Sequence, residues 1–287
     1  MKRQSAAAFF ASAALLACMA ASALPQRASL PAAQQGPLRA AIAAPSRTPA
    51  NVARDRYRHP LETLSFFGVR PTDTVVEIWP SGGWYTEILA PYLAASGGHY
   101  YAASMGPTGN DGMRRMMAAN PALYGRIYPV AFPAFEPTER RVPDGSADMV
   151  LTFRNVHNWQ MGYRRNDQPY AEEAFRQMFA MLRPGGTLGI EDHRLPESAD
   201  AARERSSGYI KVSTVRRLAE AAGFRFVAAS EINANPRDTA DWPQGVWTLP
   251  PSYQLGDQDR ARYAAIGESD RMTLRFVKPE TVSRRRR

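Results

Sequence analysis

The chain has 287 residues, of which 44% are hydrophobic and 22% charged, and its formal net charge is +9. Without the basic residues at its two ends, Lys2, Arg3 and Arg284 to Arg287, the charge falls to +3. No basic stripe interleaved with aromatic residues is present, so the sequence does not predict a specific nucleic-acid-binding face.

The first 23 residues have the pattern of an export signal. Lys2-Arg3 precede an apolar run from Ala6 to Ala17, and Ala21-Ser22-Ala23 offer a small-residue cleavage site. This run is shorter than the ~20 apolar residues needed to span a bilayer. Cys18, the only cysteine, is either a lipidation site that would tether the protein to a membrane or an ordinary signal residue. We therefore expect an exported protein that is periplasmic or associated with the envelope.

Composition divides the rest of the chain into three parts. Residues 24–50 are rich in Ala, Pro, Gln and Ser and are predicted to form a disordered linker. Residues 51–280 have the pattern of a single globular domain. Residues 281–287 are predicted to be a disordered basic tail, which is usually a solvated feature.

Helical and strand patterns alternate through the domain. After a helical stretch at Val52–Phe67, interrupted at Pro60, seven apolar runs predict strands at Thr74–Trp79, His99–Ser104, Ile127–Phe132, Asp148–Phe153, Thr187–Asp192, Phe224–Glu231 and Met272–Val277. Amphipathic segments predict further helices at Tyr85–Leu93, Gly112–Ala119, Tyr170–Leu182 and Val212–Ala222. The alternation predicts a three-layer α/β fold, a Rossmann-like, mostly parallel sheet with helices on both faces. No helix is predicted between the last two strands, so we expect the last strand to be antiparallel.

Two connections stand out. Arg183-Pro184-Gly185-Gly186 are predicted to end a helix and form a turn before the fifth strand. Residues 232–270 form a long connection with four prolines, including Pro250, and with Trp242 and Trp247. Such a segment is either a lid or binding segment, or an ordered surface excursion whose tryptophans fasten it to the body.

The stretch from Val75 to Leu89 is predicted to form a buried strand carrying the acidic Glu77, then a tight Gly-containing loop, then a helix. Backbone N–H groups at the start of that helix, together with the carboxylate, suit the binding of a nucleotide-like cofactor. Strand–glycine–helix connections of purely structural purpose have the same pattern, so both interpretations stand at this point.

Five segments carry a resemblance to known proteins: Glu77 to Glu87, Thr152 to Trp159, Leu182 to Leu188, Asp192-His193-Arg194 and Glu268 to Met272. They resemble segments of class I S-adenosylmethionine-dependent methyltransferases, and more closely those of a group of exported bacterial predicted methyltransferases. The resemblance covers most of the domain and implies S-adenosylmethionine as cofactor.

The resemblance also implies a set of cofactor-binding residues. These are Glu77, Pro80, Ser81, Gly82, Gly83, Ser104 and Asn155. Glu77 would organise the amino-acid end of the cofactor; its alternative role is to cap the following helix. Where this loop usually has three spaced glycines, the sequence has Trp79, Ser81 and Gly83, and where the second strand usually ends in an acidic residue it has Ser104. An indole of Trp79 that filled the hollow beside Glu77 would exclude the cofactor.

Candidate catalytic residues follow the fourth and fifth strands, whose carboxyl ends share one edge of the sheet. His157 is predicted to serve as a general base, and Asp192-His193 to offer a second base. A histidine that only donates to a backbone carbonyl is the alternative for His157. Arg194 offers a cation for an anionic acceptor, or pairs with Asp192 or Glu191. The sequence has no metal-ligand spacing, no Gly-x-Ser-x-Gly motif and no Walker loop, so we predict no metal site and no hydrolase or NTPase activity.

The function implied is methyl transfer to a small-molecule or envelope acceptor whose identity the sequence does not specify. The alternatives are an exported protein of this fold that binds a small ligand without turnover, and a fold retained for interaction at the envelope. Export argues against turnover because the cofactor is made in the cytosol, and a chain exported unfolded does not carry it.

Overall fold

The structure, a computed structural model, describes residues 28–106 and 108–280. The predicted signal, Cys18 and the basic tail 281–287 lie outside the described residues. Within the described ranges, no helix has both the length and the apolar character needed to cross a membrane.

The described residues contain a seven-stranded sheet. Its strands are β1 (Thr74–Ile78), β2 (His99–Ser104), β3 (Ile127–Ala131), β4 (Ala147–Phe153), β5 (Leu182–His193), β6 (Arg225–Ser230) and β7 (Arg271–Val277). They lie in the order β3-β2-β1-β4-β5-β7-β6. Neighbours among β1 to β5 pair in parallel, whereas β7 is antiparallel to both β5 and β6. The predicted Rossmann-like sheet with an antiparallel last strand is thus confirmed.

Helices cover both faces of this sheet. They are α1 (Gly36–Ile42), α2 (Pro49–Val52), α3 (Asp55–Arg58), α4 (Pro60–Phe67), α5 (Thr86–Ala94), α6 (Asp111–Ala119), α7 (Pro121–Tyr124), α8 (Val156–Met161), α9 (Ala171–Met181), α10 (Val212–Ala221) and α11 (Arg260–Ile266). Successive strand residues enter different cores: Val75 joins a core with Phe67 and Ile88, and Val76 joins one with Phe175 and Leu218. This alternation is the expected period of two along a strand buried on both faces.

The order of strands places the carboxyl ends of β1, β4 and β5 side by side. The chain proceeds outward from β1 to β3 on one side and from β4 on the other, so β1 and β4 meet where the direction of winding changes. Open α/β sheets bind ligands at this point because the connecting loops separate there.

The predicted disordered linker is wrong for the described part of residues 24–50. A short 3-10 turn at Ala32–Gln34 and helix α1 are present, and Leu38 is fully buried in the core that also holds Ile88. Thr48 donates its hydroxyl to Glu87 Oε1 at 2.5 Å. Leu38, with Ala41 and Ile42, forms a short apolar stripe that the alanine-rich composition obscured.

Three local predictions also differ from the structure. β5 begins at Leu182 rather than Thr187, because Leu182 pairs with Ala147 and Gly185 N–H donates to the Lys278 carbonyl. Helix α8 follows β4 where no helix was predicted. Helix α11 lies between β6 and β7, so the antiparallel orientation of β7 was right although its premise was wrong.

Candidate active site

The loop after β1 has an unusual backbone at the three positions where glycines were expected. Trp79, Ser81 and Gly83 have φ values of 51°, 52° and 78°. For a non-glycine residue this left-handed conformation costs roughly 1–2 kcal/mol. The loop therefore has backbone angles that suit glycine at all three positions, although two of them hold Trp79 and Ser81.

The indole of Trp79 does not fill the hollow beside Glu77. Its Nε1 donates to the Phe132 carbonyl at 2.8 Å, and its ring lies edge-on to Trp159 with centroids 6.1 Å apart. The indole is thereby held as a wall. A cavity of about 760 Å³ remains, with both Glu77 and Trp79 in its lining.

Glu77 is buried at the end of β1. Its Oε2 accepts the Tyr100 hydroxyl at 2.5 Å and lies 3.5 Å from the Thr86 hydroxyl. Burial raises the pKa of Glu77 to about 7, against the lowering effect of the Tyr100 hydrogen bond. No backbone N–H of the following helix donates to Glu77 among the described contacts, so the helix-capping alternative does not describe this carboxylate.

Most of the predicted cofactor-binding residues surround this cavity. Pro80, Ser81, Ser104 and Asn155 line it together with Glu77. Gly82 and Gly83 belong to the same loop but do not line it. At Gly83 an added Cβ would lie 2.8 Å from Met116 Cε, so this glycine allows helix α6 to pack closely.

Asn155 also has a structural role. Its side-chain nitrogen donates to the Ile78 carbonyl at 2.9 Å and to Thr152 Oγ1 at 3.2 Å. These bonds fasten the end of β4 to the end of β1, which fixes the width of the cleft between them.

The remaining lining is largely aromatic, and the sequence did not single out these residues as a wall. It includes Trp84, Tyr85, Phe153, Tyr163 and Trp247. Tyr85 stacks on Phe153 with ring centroids 3.6 Å apart. Trp247, together with Ser252 and Gln254, comes from the long connection 232–270, so that connection forms part of the cavity wall.

The three predicted catalytic residues lie together. Asp192 Oδ1 lies 2.7 Å from His157 Nδ1, and Oδ2 accepts the His157 backbone N–H at 3.0 Å. A carboxylate only accepts, so Nδ1 carries the proton and Nε2 is the basic nitrogen of the neutral ring. The alternative of a backbone carbonyl partner for His157 is wrong, since a carboxylate takes that place.

His193 lies beside this pair. Its ring centroid is 5.1 Å from that of His157, and its Nδ1 lies 2.5 Å from Ser269 Oγ. Burial lowers the pKa of His193 well below its ordinary value, and the neighbouring His157 and the positive charge of Arg154 act in the same direction. His193 is therefore neutral at neutral pH. Asp192 holds it as well, by accepting its backbone N–H at 2.8 Å.

A second cavity of about 240 Å³ adjoins the first and is lined by His157 and His193. The two cavities share Arg154, Asn158, Trp247 and Ser252. A ligand in one cavity would thus lie directly next to a ligand in the other.

Two further groups bear on the predicted chemistry. Arg194 pairs with Asp270 at 2.8 Å and with Glu231, not with Asp192 or Glu191, and lines neither cavity. Ligand atoms of His157, Asp192 and His193 lie within 4.8 Å of one another, a spacing that a metal ion could bridge. Nearby guanidinium groups oppose a cation there, as their effect on His193 shows.

No protein-family model matches the chain, and no curated protein matches it. Solved structures do resemble it. A SAM-dependent methyltransferase from Aquifex aeolicus has a TM-score of 0.52 at 13% identity, covering 79% of this chain and 93% of that one. A putative sarcosine dimethylglycine methyltransferase from Galdieria sulphuraria has a TM-score of 0.52 at 12% identity, covering 80% and 88%.

A third structure, the complex between the Haloferax volcanii Trm112 methyltransferase activator and a putative methyltransferase, has a TM-score of 0.50 at 15% identity. It covers 85% of this chain and 98% of that one. At such low identities these likenesses concern the arrangement of the backbone. The chain has the fold of S-adenosylmethionine-dependent methyltransferases.

Proposed function

We propose that this protein is an S-adenosylmethionine-dependent methyltransferase that acts on a small-molecule or envelope acceptor. The observation that supports it most is the cavity of about 760 Å³ at the ends of β1 and β4, with the buried carboxylate of Glu77 in its wall. Its volume lies within the roughly 300–1,000 Å³ of small-ligand sites.

The lining fits the parts of the cofactor. Glu77 would take the ammonium of the amino-acid end, and Ser104 would accept or donate a hydrogen bond to a ribose hydroxyl. The aromatic side chains named above would cover the flat faces of the adenine. Ser104 lacks the two-oxygen geometry of a carboxylate, so the ribose would be held by fewer charge-assisted bonds.

The cofactor supplies an electrophilic methyl group on a sulfonium sulfur. When the acceptor bonds to the methyl carbon, the methyl–sulfur bond breaks and its electron pair stays on sulfur. The chain's own residues then have two tasks. His157 Nε2 accepts the proton from the acceptor's oxygen or nitrogen. Asp192 holds the ring and stabilises the imidazolium that forms, through the 2.7 Å contact at Nδ1.

Calorimetry of the mature domain with S-adenosylmethionine and S-adenosylhomocysteine tests the proposal. We expect micromolar binding that Glu77→Gln weakens at least tenfold, on the order of one charge-assisted hydrogen bond. Glu62→Gln is the matched control, because Glu62 is exposed on α4 and lines neither cavity. Absence of binding by both nucleosides would refute the methyltransferase.

A second candidate is an exported protein that binds a small ligand without turnover. The side chains added at Trp79 and Ser81, together with the serine at position 104, favour it because they depart from the cofactor-binding pattern. A rise in melting temperature with other small ligands, and none with the two nucleosides, would identify this case.

Export is part of the proposal and rests on the signal pattern of the first 23 residues. Mass spectrometry of the protein recovered from an envelope fraction distinguishes a cleaved protein from a lipidated one. Cleavage after Ala23 leaves Leu24 at the N-terminus, whereas lipidation leaves an acylated Cys18. An uncleaved chain in the cytosol would refute export.

A further inference from the structure

We infer that the acceptor carries an oxyanionic group, a carboxylate or a phosphate, which Arg54, Arg58 and Arg154 bind in the cavity of about 240 Å³. The inference names the substrate class for the proposed function and rests on it. All three arginines line that cavity, and His157 and His193 line it with them.

The charge around this cavity is unbalanced. Four guanidinium groups, those of the three arginines and of Arg271, contact two carboxylates, Glu191 and Glu268. Asp192 adds a third negative charge, but both of its oxygens already accept from His157 and His193. Glu77 also interacts with Arg154, but because its pKa is about 7 it is only partly ionised at neutral pH. A positive surplus therefore remains in a largely buried region, where an unpaired charge is costly.

The shifted pKa values of Arg58 and Glu268 agree with this surplus of positive charge. Burial and the positive charge of Arg154 lower the pKa of Arg58 to about 9. Burial alone would raise the pKa of Glu268, but the guanidinium groups of Arg58 and Arg271 hold it at about 2. Glu268 therefore stays ionised and still does not neutralise the cluster.

Two of the arginines have hydrogen-bonding capacity left for a ligand. Arg54 Nη2 is buried and has no hydrogen-bond partner among the described residues. Arg154 makes one ion-pair contact in the described chain, to Glu191 Oε1 at 3.4 Å, which is long for such a bond. Arg154 also lines both cavities, so its guanidinium lies next to each ligand site.

The arrangement orients the acceptor. An anionic group on the arginines would fix one end of the molecule, while His157 lies in the wall of the same cavity. Arg154 and Asn158 form a boundary shared with the larger cavity, toward which the nucleophilic atom would face. This positions an acceptor hydroxyl or amine between its base and the methyl donor, as alignment of reactants requires.

The same charges argue against a cation in this place. Although His157, Asp192 and His193 have the spacing of metal ligands, a metal ion would add positive charge to a cluster that already has an excess. An anion removes that excess instead.

Calorimetry of the mature chain, in a buffer without oxyanions, tests this inference with matched probes. The probes are 4-hydroxybenzoate, its neutral twin 4-hydroxybenzamide, phenyl phosphate and inorganic phosphate. We expect at least one anion to bind about tenfold more tightly than the amide, the size of one charge-assisted bond. Comparison of the carboxylate with the phosphates shows which oxyanion the site prefers.

Arg54→Gln and Arg154→Gln should each weaken the anion at least about tenfold and leave the amide unchanged. Both variants should fold, because the buried carboxylates retain other ion pairs. Glu268 still pairs with Arg58 and Arg271, and Glu191 still pairs with Arg271. Circular dichroism checks this. Arg217→Gln is the control, since Arg217 is exposed on α10 and lines neither cavity.

Equal affinity for the acid and the amide, no binding of any anion, or anion affinity undiminished in both variants would overturn the inference. Because these measurements need no nucleoside, their failure is distinct from failure of the methyltransferase proposal. Anion binding without nucleoside binding would leave the anion site in place and refute methyl transfer.

Discussion

A single carboxylate, Asp192, holds both the ring and the backbone of His157. The two contacts, at 2.7 and 3.0 Å, connect the end of β5 to the first turn of α8. Rotation of the imidazole would break the first contact, and movement of the helix would break the second. His157 is therefore fixed relative to the sheet. A general base needs such a fixed position to reach the proton of a bound acceptor.

Asp192→Asn should lower the free energy of unfolding by about 2 kcal/mol, since hydrogen bonds to a charged, buried acceptor are worth roughly 1.5–3 kcal/mol each and asparagine keeps one oxygen. Urea denaturation measures the change. Asp257→Asn, at an exposed position, should have no effect. Affinity for S-adenosylmethionine should stay the same, because Asp192 does not line the larger cavity. Unchanged stability would show that the contacts contribute little.

Stability should depend on pH through Glu77. The folded protein holds the Glu77 proton more tightly than the unfolded chain does, because burial raises the pKa from 4.5 to about 7. The stabilising contribution is complete below pH 4.5 and is lost as the pH rises through about 7.

The wild-type protein should therefore lose on the order of 3 kcal/mol relative to Glu77→Gln across that interval. Glutamine imitates the protonated carboxyl and does not titrate, so the difference between the two proteins isolates this group. Chemical denaturation at several pH values gives both curves. Parallel curves would contradict the raised pKa.

Binding of S-adenosylmethionine should release a proton from Glu77 and strengthen as the pH rises toward 7. The ligand's ammonium favours the ionised carboxylate, so the affinity should change by up to about tenfold per pH unit below the pKa. Calorimetry in two buffers of different ionisation enthalpy counts the proton. In Glu77→Gln the buffer dependence should vanish, and its persistence would assign the proton to another group.

The glycine-type backbone of the first loop can be tested at three neighbouring positions. Ser81→Gly should stabilise the protein by about 1 kcal/mol, because it relieves a positive φ at an exposed residue. Gly83→Ala should destabilise it by more than that, since its φ is 78° and its Cβ would approach Met116.

Gly82→Ala serves as the control, because a Cβ there meets nothing within 4 Å and its φ lies outside the left-handed region. Thermal unfolding should separate the three variants by several degrees. An equal effect of all three would mean that the loop has no preference for glycine-type angles.

Several features of the site could be predicted because they depend on neighbouring residues in the chain. Glu77 ends an apolar run and precedes a glycine-containing loop, which identifies the switch-point loop from a few residues. His157, Asp192 and His193 follow two of the predicted strands, and parallel strands bring their carboxyl ends to one edge.

The short helix α1 was missed for a different reason. It has only seven residues, about two turns, with few apolar residues among alanines, so composition predicts disorder. The contact of Leu38 with the core makes this short helix stable. The ion-pair partner of Arg194 was missed in a similar way. Sequence proximity suggested Asp192 or Glu191, but the partner is Asp270, which is 76 residues away in the chain.

By itself the sequence determined the alternation of strands and helices, the loop after β1 and the edge at which polar residues collect, because hydrophobic period and turn residues act locally. Only the tertiary structure decided which charges meet. Arg54, Arg154 and Arg271 come from distant parts of the chain and share two buried carboxylates, and the surplus charge they leave depends on every distance among them. Trp247 likewise reaches the cavity only because the long connection folds back over the sheet edge.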